Sequence, residues 1–421
     1  MMNRVVITGL GIVAPNGVEI AEFLSAIQSG RSGIRFDQQL ADLKFSCQIS
    51  GKPELSQQKI SENFTDLELR NFNSTGIMYG VIAALDAWRD AGLVVVDENT
   101  DWESGTIFGT GTSGIEKFRE SIYKIDNFET RKLGSTAVLQ TMNSGVSAYI
   151  AGKLGLGNQV TTNSSACTTG TESILMAYER IKSGHAKRML AGSTSDSGPY
   201  IWGGFDAMKV CTFKHNESPE QGSRPLSASA SGFVPGSGAG ALLLEDLETA
   251  LQRGARIYCE VLGGNVNSGG QRNGGTMTAP NSVAVQKCIR DAMVNAGISA
   301  NDIDAVNGHL TATSKDNLEI RNWREALNRA GNDFPYINSL KSTVGHCLSA
   351  AGAVESVASV LQIHHGFIFP NINCEDLHPE IAELVDSERI PTEMIKKDLR
   401  IVAKASFGFG DVNGCVIFKK Y

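Results

Sequence analysis

The stretch Thr161-Thr-Asn-Ser-Ser-Ala-Cys-Thr-Thr-Gly170 decides how this chain is read. A β-branched run gives way to a cluster of small polar residues, and an apolar periodic segment, Thr168 to Lys182, follows at once. That is the pattern of a strand feeding directly into a helix. The second half carries a counterpart, His346-Cys-Leu-Ser-Ala-Ala-Gly-Ala-Val-Glu-Ser-Val357, which again crowds small residues at a helix start. Both segments hold Glu-Ser ahead of apolar positions, a short similarity that hints at a duplicated architecture.

Working outward, short strand-like runs alternate with longer helical patterns. The strand-like runs are Arg4 to Ile7, Gly105 to Phe108, Arg188 to Ala191, Gly240 to Leu244, Ile303 to Val306 and Ile401 to Ala403. Helical periodicity covers Gly76 to Ala91, Thr168 to Lys182, Ala284 to Ala296 and Ala350 to His364. Such alternation predicts an α/β protein with largely buried strands. A charged helix ending in glycine at Ala250 to Ile257, "ALQRGARI", after which a new strand begins, marks the seam, so the expected halves are 1–255 and 256–421.

Composition narrows the function. The 421 residues are 41% hydrophobic and 20% charged, with a formal net charge of −7. That balance argues against nucleic acid or an anionic membrane as the main partner. No apolar run approaches the roughly 20 residues of a membrane span, and Arg4-Val-Val-Ile-Thr-Gly9 runs straight into a strand pattern rather than a cleavable signal. The eight cysteines show no CxxC pair, so neither a disulfide framework nor a metal site is expected, and the cytoplasm is the expected location.

Gly9-Leu-Gly-Ile-Val-Ala14 matches the GxGxxA form of the dinucleotide fingerprint. Pyrophosphate binding needs a helix opening at that turn, whereas Pro15-Asn16-Gly17 follows immediately and breaks a helix. A glycine-rich strand exit is the favoured reading, with an NAD-dependent dehydrogenase as the alternative it opposes.

Cys167 is the candidate nucleophile. A thiol at a helix N-terminus is expected to have a lowered pKa, and its thiolate can attack a thioester and hold an acyl group. His309, in Asn307-Gly-His309, and His346, in Val344-Gly-His346, each follow a strand-like run and a glycine. Singly, each would be a structural histidine; together with Cys167 they suggest convergence on one face. Lys341 stands five residues before His346, and Ala405 to Gly414 reads as a glycine-rich loop between strands.

"SSACTTG", "NGHLTAT", "NSLKSTVGHCLSAAGAVES" and "SFGFGDVNG" occur in the order and spacing of the signature segments of β-ketoacyl-acyl-carrier-protein synthases, condensing enzymes of the thiolase superfamily. The opening "RVVITGLGIVAPNG" and "SRPLSASASGFVPGSGAGALLLED" resemble them too, so the likeness covers nearly the whole chain. It implies a thiolase fold, five-layered αβαβα from two similar βαβαβαββ halves, usually dimeric. By this resemblance Cys167 takes an acyl chain from the phosphopantetheine of acyl carrier protein, and no further cofactor is bound. His309 and His346 bind the malonyl thioester carbonyl during decarboxylation, and the amides of Cys167 and Phe409 form the oxyanion hole. Lys341 and Glu355 match residues that support the histidines. Thr311 and Thr313 match pantetheine contacts, Phe409 a gate, and Thr112 and Phe205 the acyl pocket. Arg131, Lys132 and Lys209 match positions that dock an acidic carrier protein.

The Cys-His-His set resembles the elongating, decarboxylating branch, and retention of Cys167 opposes a catalytically silent, chain-length-factor-like subunit. A homodimer, or a heterodimer with such a subunit, is expected. Three departures point toward a specialised secondary-pathway synthase over primary fatty-acid elongation. Leu310 replaces a glycine and the loop to Asp316 is one residue shorter. Asp411 replaces a glycine after Phe409, where it would put a carboxylate near the entrance. Thr112 replaces a common isoleucine.

Overall fold

Val5–Val13, VVITGLGIV, is buried along its whole length, as a strand covered on both faces must be. It lies near the middle of a ten-stranded sheet in a computed structural model that describes residues 2–95 and 99–421. The sheet strands in chain order are β1 (Val5–Val13), β2 (Ser104–Thr110), β3 (Val160–Thr161), β4 (Arg188–Ser195), β5 (Gly238–Asp246), β6 (Cys259–Ser268), β7 (Ala305–Asn307), β8 (Tyr336–Asn338), β9 (Ile401–Gly408) and β10 (Val412–Lys419). The helices that position the site are α1 (Thr75–Asp90), α2 (Ile115–Asp126), α3 (Gly145–Leu154), α4 (Thr169–Lys182), α5 (Pro199–Ala207), α6 (Ser282–Ala296), α7 (Asp316–Leu327) and α8 (Ala351–His365).

The sheet order is β8-β7-β9-β10-β6-β1-β5-β4-β2-β3. From β1 outward the neighbours are antiparallel β5 and β4, then parallel β2 and β3. From β6 outward they are antiparallel β10 and β9, then parallel β7 and β8. The same five-strand arrangement is thus built twice, and the two copies join where Val5, Val6 and Ile7 pair with Val261, Glu260 and Cys259.

Three apolar clusters define the layers. On one outer face α1 and α3 pack on β1, β2, β4 and β5. On the other, α6 packs on β6 and β10 with α7 against it. Between the two sheet halves lie α4 and α8, touching strands of both and supplying Ile174, Tyr178, Val354 and Leu361 to the central core. This is the five-layered αβαβα arrangement, with two inner helices that start alike. Before α4 a short turn begins at Ala166 with φ 50°, and before α8 one begins at Leu348 with φ 51°. Three residues after the position that follows each of these stand Gly170 and Gly352, whose backbones meet. A Cβ at either would strike the other helix's main chain.

Gly9 and Gly11 lie inside β1, where a side chain would run into the carbonyls of Ala87 and Ala83 on α1. The fingerprint-like glycines are therefore a close strand–helix contact, and Ala14 turns back to Gly17 with no helix opening there.

Candidate active site at the junction of the two halves

Cys167 sits in the turn Ala166–Thr168 that leads into α4. Ala166 is held left-handed, a conformation that costs a non-glycine residue about 1 kcal/mol or more. The surroundings fix it: Thr169 Oγ1 accepts from Ser165 N at 2.9 Å and donates to Ala166 O at 2.6 Å. Thr168 Oγ1 donates to Val412 O at 3.0 Å, tying the turn to the β9–β10 hairpin. The segment read as a loop is this hairpin, with only Phe409, Gly410 and Asp411 between its strands. Backbone amides of Phe409 and Cys167 itself reach the thiol.

His309 follows β7, its carboxyl end pointing toward the site. Its amide and that of Leu310 donate to the two oxygens of Glu319, each at 2.7 Å, while Thr311 N and Ala312 N donate to Asp316 at 2.9 and 3.1 Å. Two carboxylates of α7 thus shape the loop. His346 precedes α8. Its Nδ1 accepts from Leu348 N at 3.1 Å, which leaves Nε2 as the proton-bearing nitrogen. Lys341, buried, donates to His309 O at 2.6 Å and to Glu355 Oε1.

The Cys167 sulfur and one nitrogen from each imidazole lie within 4.8 Å of one another. The rings stand 5.4 Å apart at 84°. Separation of that order would also admit a metal ion, but the two amides aimed at the sulfur suit an anion there instead.

Two cavities meet at the thiol. One of about 510 Å³ is lined by Cys167, both histidines, Thr311, Thr313 and Met208 among others. A smaller one of about 230 Å³ is lined by Thr112, Ile115, Ser195, Tyr200 and Ser349 among others. Cys167, Phe205, Leu348 and Phe409 belong to both, and the Phe205 and Phe409 rings lie 6.1 Å apart at the divide.

Burial pushes both histidines well below the usual imidazole range, and the Lys341 charge adds to this, so both are neutral donors. The expected lowering at Cys167 is not met: burial pushes its thiol up, against the opposing pull of Lys341 and the two amides. The helix N-terminus alone does not overcome desolvation. Burial also raises Asp316 to about 6 and Glu319 to about 7.

The structure therefore brings together Cys167, His309, His346, Lys341, Glu355, Phe409, Thr311, Thr313, Thr112 and Phe205. Lys209 is exposed next to the cavity-lining Met208 and Val210. Arg131 and Lys132 are exposed on a turn after α2 and line neither cavity; Lys132 pairs with Glu129.

Two departures read as substrate features are corrected. Leu310 has no left-handed φ and is fully buried in the core under α7, away from either cavity. Asp411 is 1% exposed and accepts from Gln271 N at 3.0 Å and Asn281 N at 2.8 Å, so it anchors the 269–281 loop rather than charging the entrance. Sequence reasoning named Asp316 only as the end of the loop after His309, and missed Glu319 and Lys404. Lys404 is fully buried with Nζ 2.9 Å from Glu355 Oε2. A lysine inside the apolar strand run "IVAKASF" was the available signal.

Comparison with known proteins agrees with this geometry. Residues 2–250 match the family model for the β-ketoacyl synthase N-terminal domain, and residues 258–375 match that for the C-terminal domain. The 3-oxoacyl-[acyl-carrier-protein] synthase 1 of Escherichia coli K12 is 34% identical over 424 residues, 100% of this chain and 99% of that protein. Among solved structures, a type II polyketide synthase acyl carrier protein in complex with its ketosynthase bound to the hexaketide superposes with a TM-score of 0.88 at 28% identity. The ishigamide ketosynthase/chain length factor does so with a TM-score of 0.88 at 27% identity, and both cover 100% of each chain. With its fold, its paired inner helices and its Cys-His-His cluster, this chain belongs to the β-ketoacyl synthase family.

Proposed function

We propose that this protein elongates an acyl chain by decarboxylative Claisen condensation on acyl carrier protein. The carrying observation is the meeting of one thiol, two neutral imidazoles and two free amides at the point where two cavities join. In the first half-reaction the Cys167 thiolate attacks the acyl thioester. The carbonyl oxygen takes the developing charge beside the amides of Cys167 and Phe409, and pantetheine thiol leaves. The acyl chain then occupies the smaller cavity beyond Phe205 and Phe409. In the second, malonyl-pantetheine enters along Thr311 and Thr313. His346 Nε2 and His309 donate to its thioester oxygen, carbon dioxide departs, and the resulting enolate carbon attacks the acyl-cysteine carbonyl and releases the Cys167 sulfur. Neutral imidazoles serve here because they donate hydrogen bonds without supplying a titrating charge.

Lys209 beside the cavity mouth, and Arg131 and Lys132 on the turn after α2, are the basic positions for docking an acidic carrier protein. Exposed Phe118, Ile122, Ile125, Val138 and Leu139 with the edge strand β3 form the face for a second subunit, either another copy or a chain-length-factor-like partner. Within the reading, we favour a specialised secondary-pathway synthase, for which Thr112 in the acyl cavity is the support that survives. The two test reactions use acyl-carrier and malonyl-carrier protein. Intact mass should show acylated Cys167 and a ketoacyl product extended by two carbons, both absent in C167A. Absence of acylation in the parent would leave a silent partner subunit as the reading. Equal turnover of saturated medium-length acyl carriers would favour primary fatty-acid elongation.

A further inference from the structure

The buried charge behind the site is larger than the site needs. Glu355 on α8 lies between two ammonium groups: Lys341 holds Oε1 and Lys404 stands 2.9 Å from Oε2. All three side chains are at most 2% exposed. The Lys341–Glu355 pair is neutral by itself, and a further buried cation is costly without a role. Lys404 meets Glu355 Oε2 as a close ion pair rather than through a well-aligned hydrogen bond. Its donors go instead to Ala405 O at 2.9 Å, Thr171 Oγ1 at 3.2 Å and Ser406 Oγ. What it brings to Oε2 is charge: burial pulls the Lys404 ammonium below the usual lysine range, and Glu355 opposes that pull.

The titratable groups around this cluster come from every packed element. They are Cys167 on the turn before α4, His309 after β7, Lys341, His346 and Cys347 before α8, and Cys415 on β10. Other nearby carboxylates are engaged elsewhere: Glu172 accepts from Ser165 Oγ at 2.6 Å and Asn163 Nδ2 at 2.9 Å, and Asp316 and Glu319 accept from the His309 loop. Lys341 pulls the thiol toward ionisation and Glu355 opposes it. A counter-charge on Glu355 removes that opposition.

We propose that Lys404 is a positioning residue for Cys167: by neutralising Glu355 it leaves the Lys341 charge unopposed, giving the buried cluster a net charge of +1 that favours the thiolate. The proposal rests on Cys167 being the nucleophile of this site, but its test does not require condensation. The pH dependence of Cys167 alkylation by iodoacetamide, followed by intact mass and peptide mapping, reads the thiolate directly. In K404M the cluster is neutral, and the midpoint should move up by about one pH unit, as expected for losing a nearby opposite charge. In K404M/E355Q the net charge returns to +1 and the midpoint should return toward the parent's. An unmoved midpoint in K404M overturns the proposal. A shift that persists in the double variant also overturns it, since packing and not charge would then be the cause. If K404M does not fold, K404Q, which keeps donors for Ser406 and Thr171, carries the same expectation. Failure of acyl transfer in the parent with the midpoints behaving as stated would sink the condensation reading and leave this one standing.

Discussion

Glu319 is a carboxylate asked to do two opposed things. It accepts from the amides of His309 and Leu310, which favours its charged form, yet burial outweighs this and raises it to about 7 from 4.5. A group raised in the folded state binds more protons there than in the unfolded chain between those values. Folding stability therefore falls as pH rises from about 4.5 toward 7. E319Q removes this titration, so the stability lost between pH 5 and 8 should shrink by about 2 kcal/mol, read from urea midpoints at the two pH values. An undiminished loss would assign the dependence to Asp316 alone. At this scale Cys167, His309 and His346 were legible because reactive residue types are scarce and each stands at a strand exit. Asp316, Glu319 and Lys404 were not, since charged residues in a helical or strand pattern give no sign of which atoms they will face. Leu310 and Asp411 were misread for a related reason: a departure from a family pattern carries a position but no direction, and both side chains turn away from the cavity.

Helices α4 and α8 carry the arrangement at the scale of elements. The turns before them were visible in the sequence as clusters of small residues, and the six strand-like runs and four helical patterns all lie within or overlap observed elements. The register of the duplication was not visible. The Glu-Ser pairs invited one alignment, while the left-handed residues Ala166 and Leu348 and the facing Gly170 and Gly352 set another, one residue different. Backbone contacts of that kind leave only small residues behind in the sequence, and small residues align in many ways. A strand was expected to open after the seam, and β6 does so at Cys259, but its length was not legible because glycines inside CEVLGGNVNS weaken a strand pattern; its pairing with β10 and β1 overrides local preference. G352A should force the two inner helices apart. We expect a loss of about 1–3 kcal/mol in stability and a condensation rate that falls more than Cys167 acylation does, compared by single-turnover mass spectrometry. Equal losses in both steps would mean that the contact supports folding only.

Across the whole molecule, the net charge of −7 restricts carrier-protein docking to local basic positions, and the apolar residues Phe118, Ile122 and Ile125 of α2, with Val138 and Leu139 after it, stand exposed. The turn Ala137–Thr141 packs on α2 and on α3, and α3 borders β3, so this face runs to the sheet edge. I122D should convert a dimer into a monomer by sedimentation, with far-UV circular dichroism unchanged; a dimer that persists would place the interface elsewhere. The equivalence of the two halves reaches into the reaction centre as well. Counting from the left-handed residues, the position matching Cys167 in the second half is Ser349, whose hydroxyl is turned into Thr194 O at 2.7 Å beside the acyl cavity. Both imidazoles belong to the second half and the thiol to the first, so symmetric parts have been put to asymmetric use. A Ser349→Cys change would make the halves more alike and still create no second reaction centre, because the two histidines of the first half, His185 and His215, line neither cavity. The enzyme is a pair of like units of which one holds the nucleophile and the other the donors.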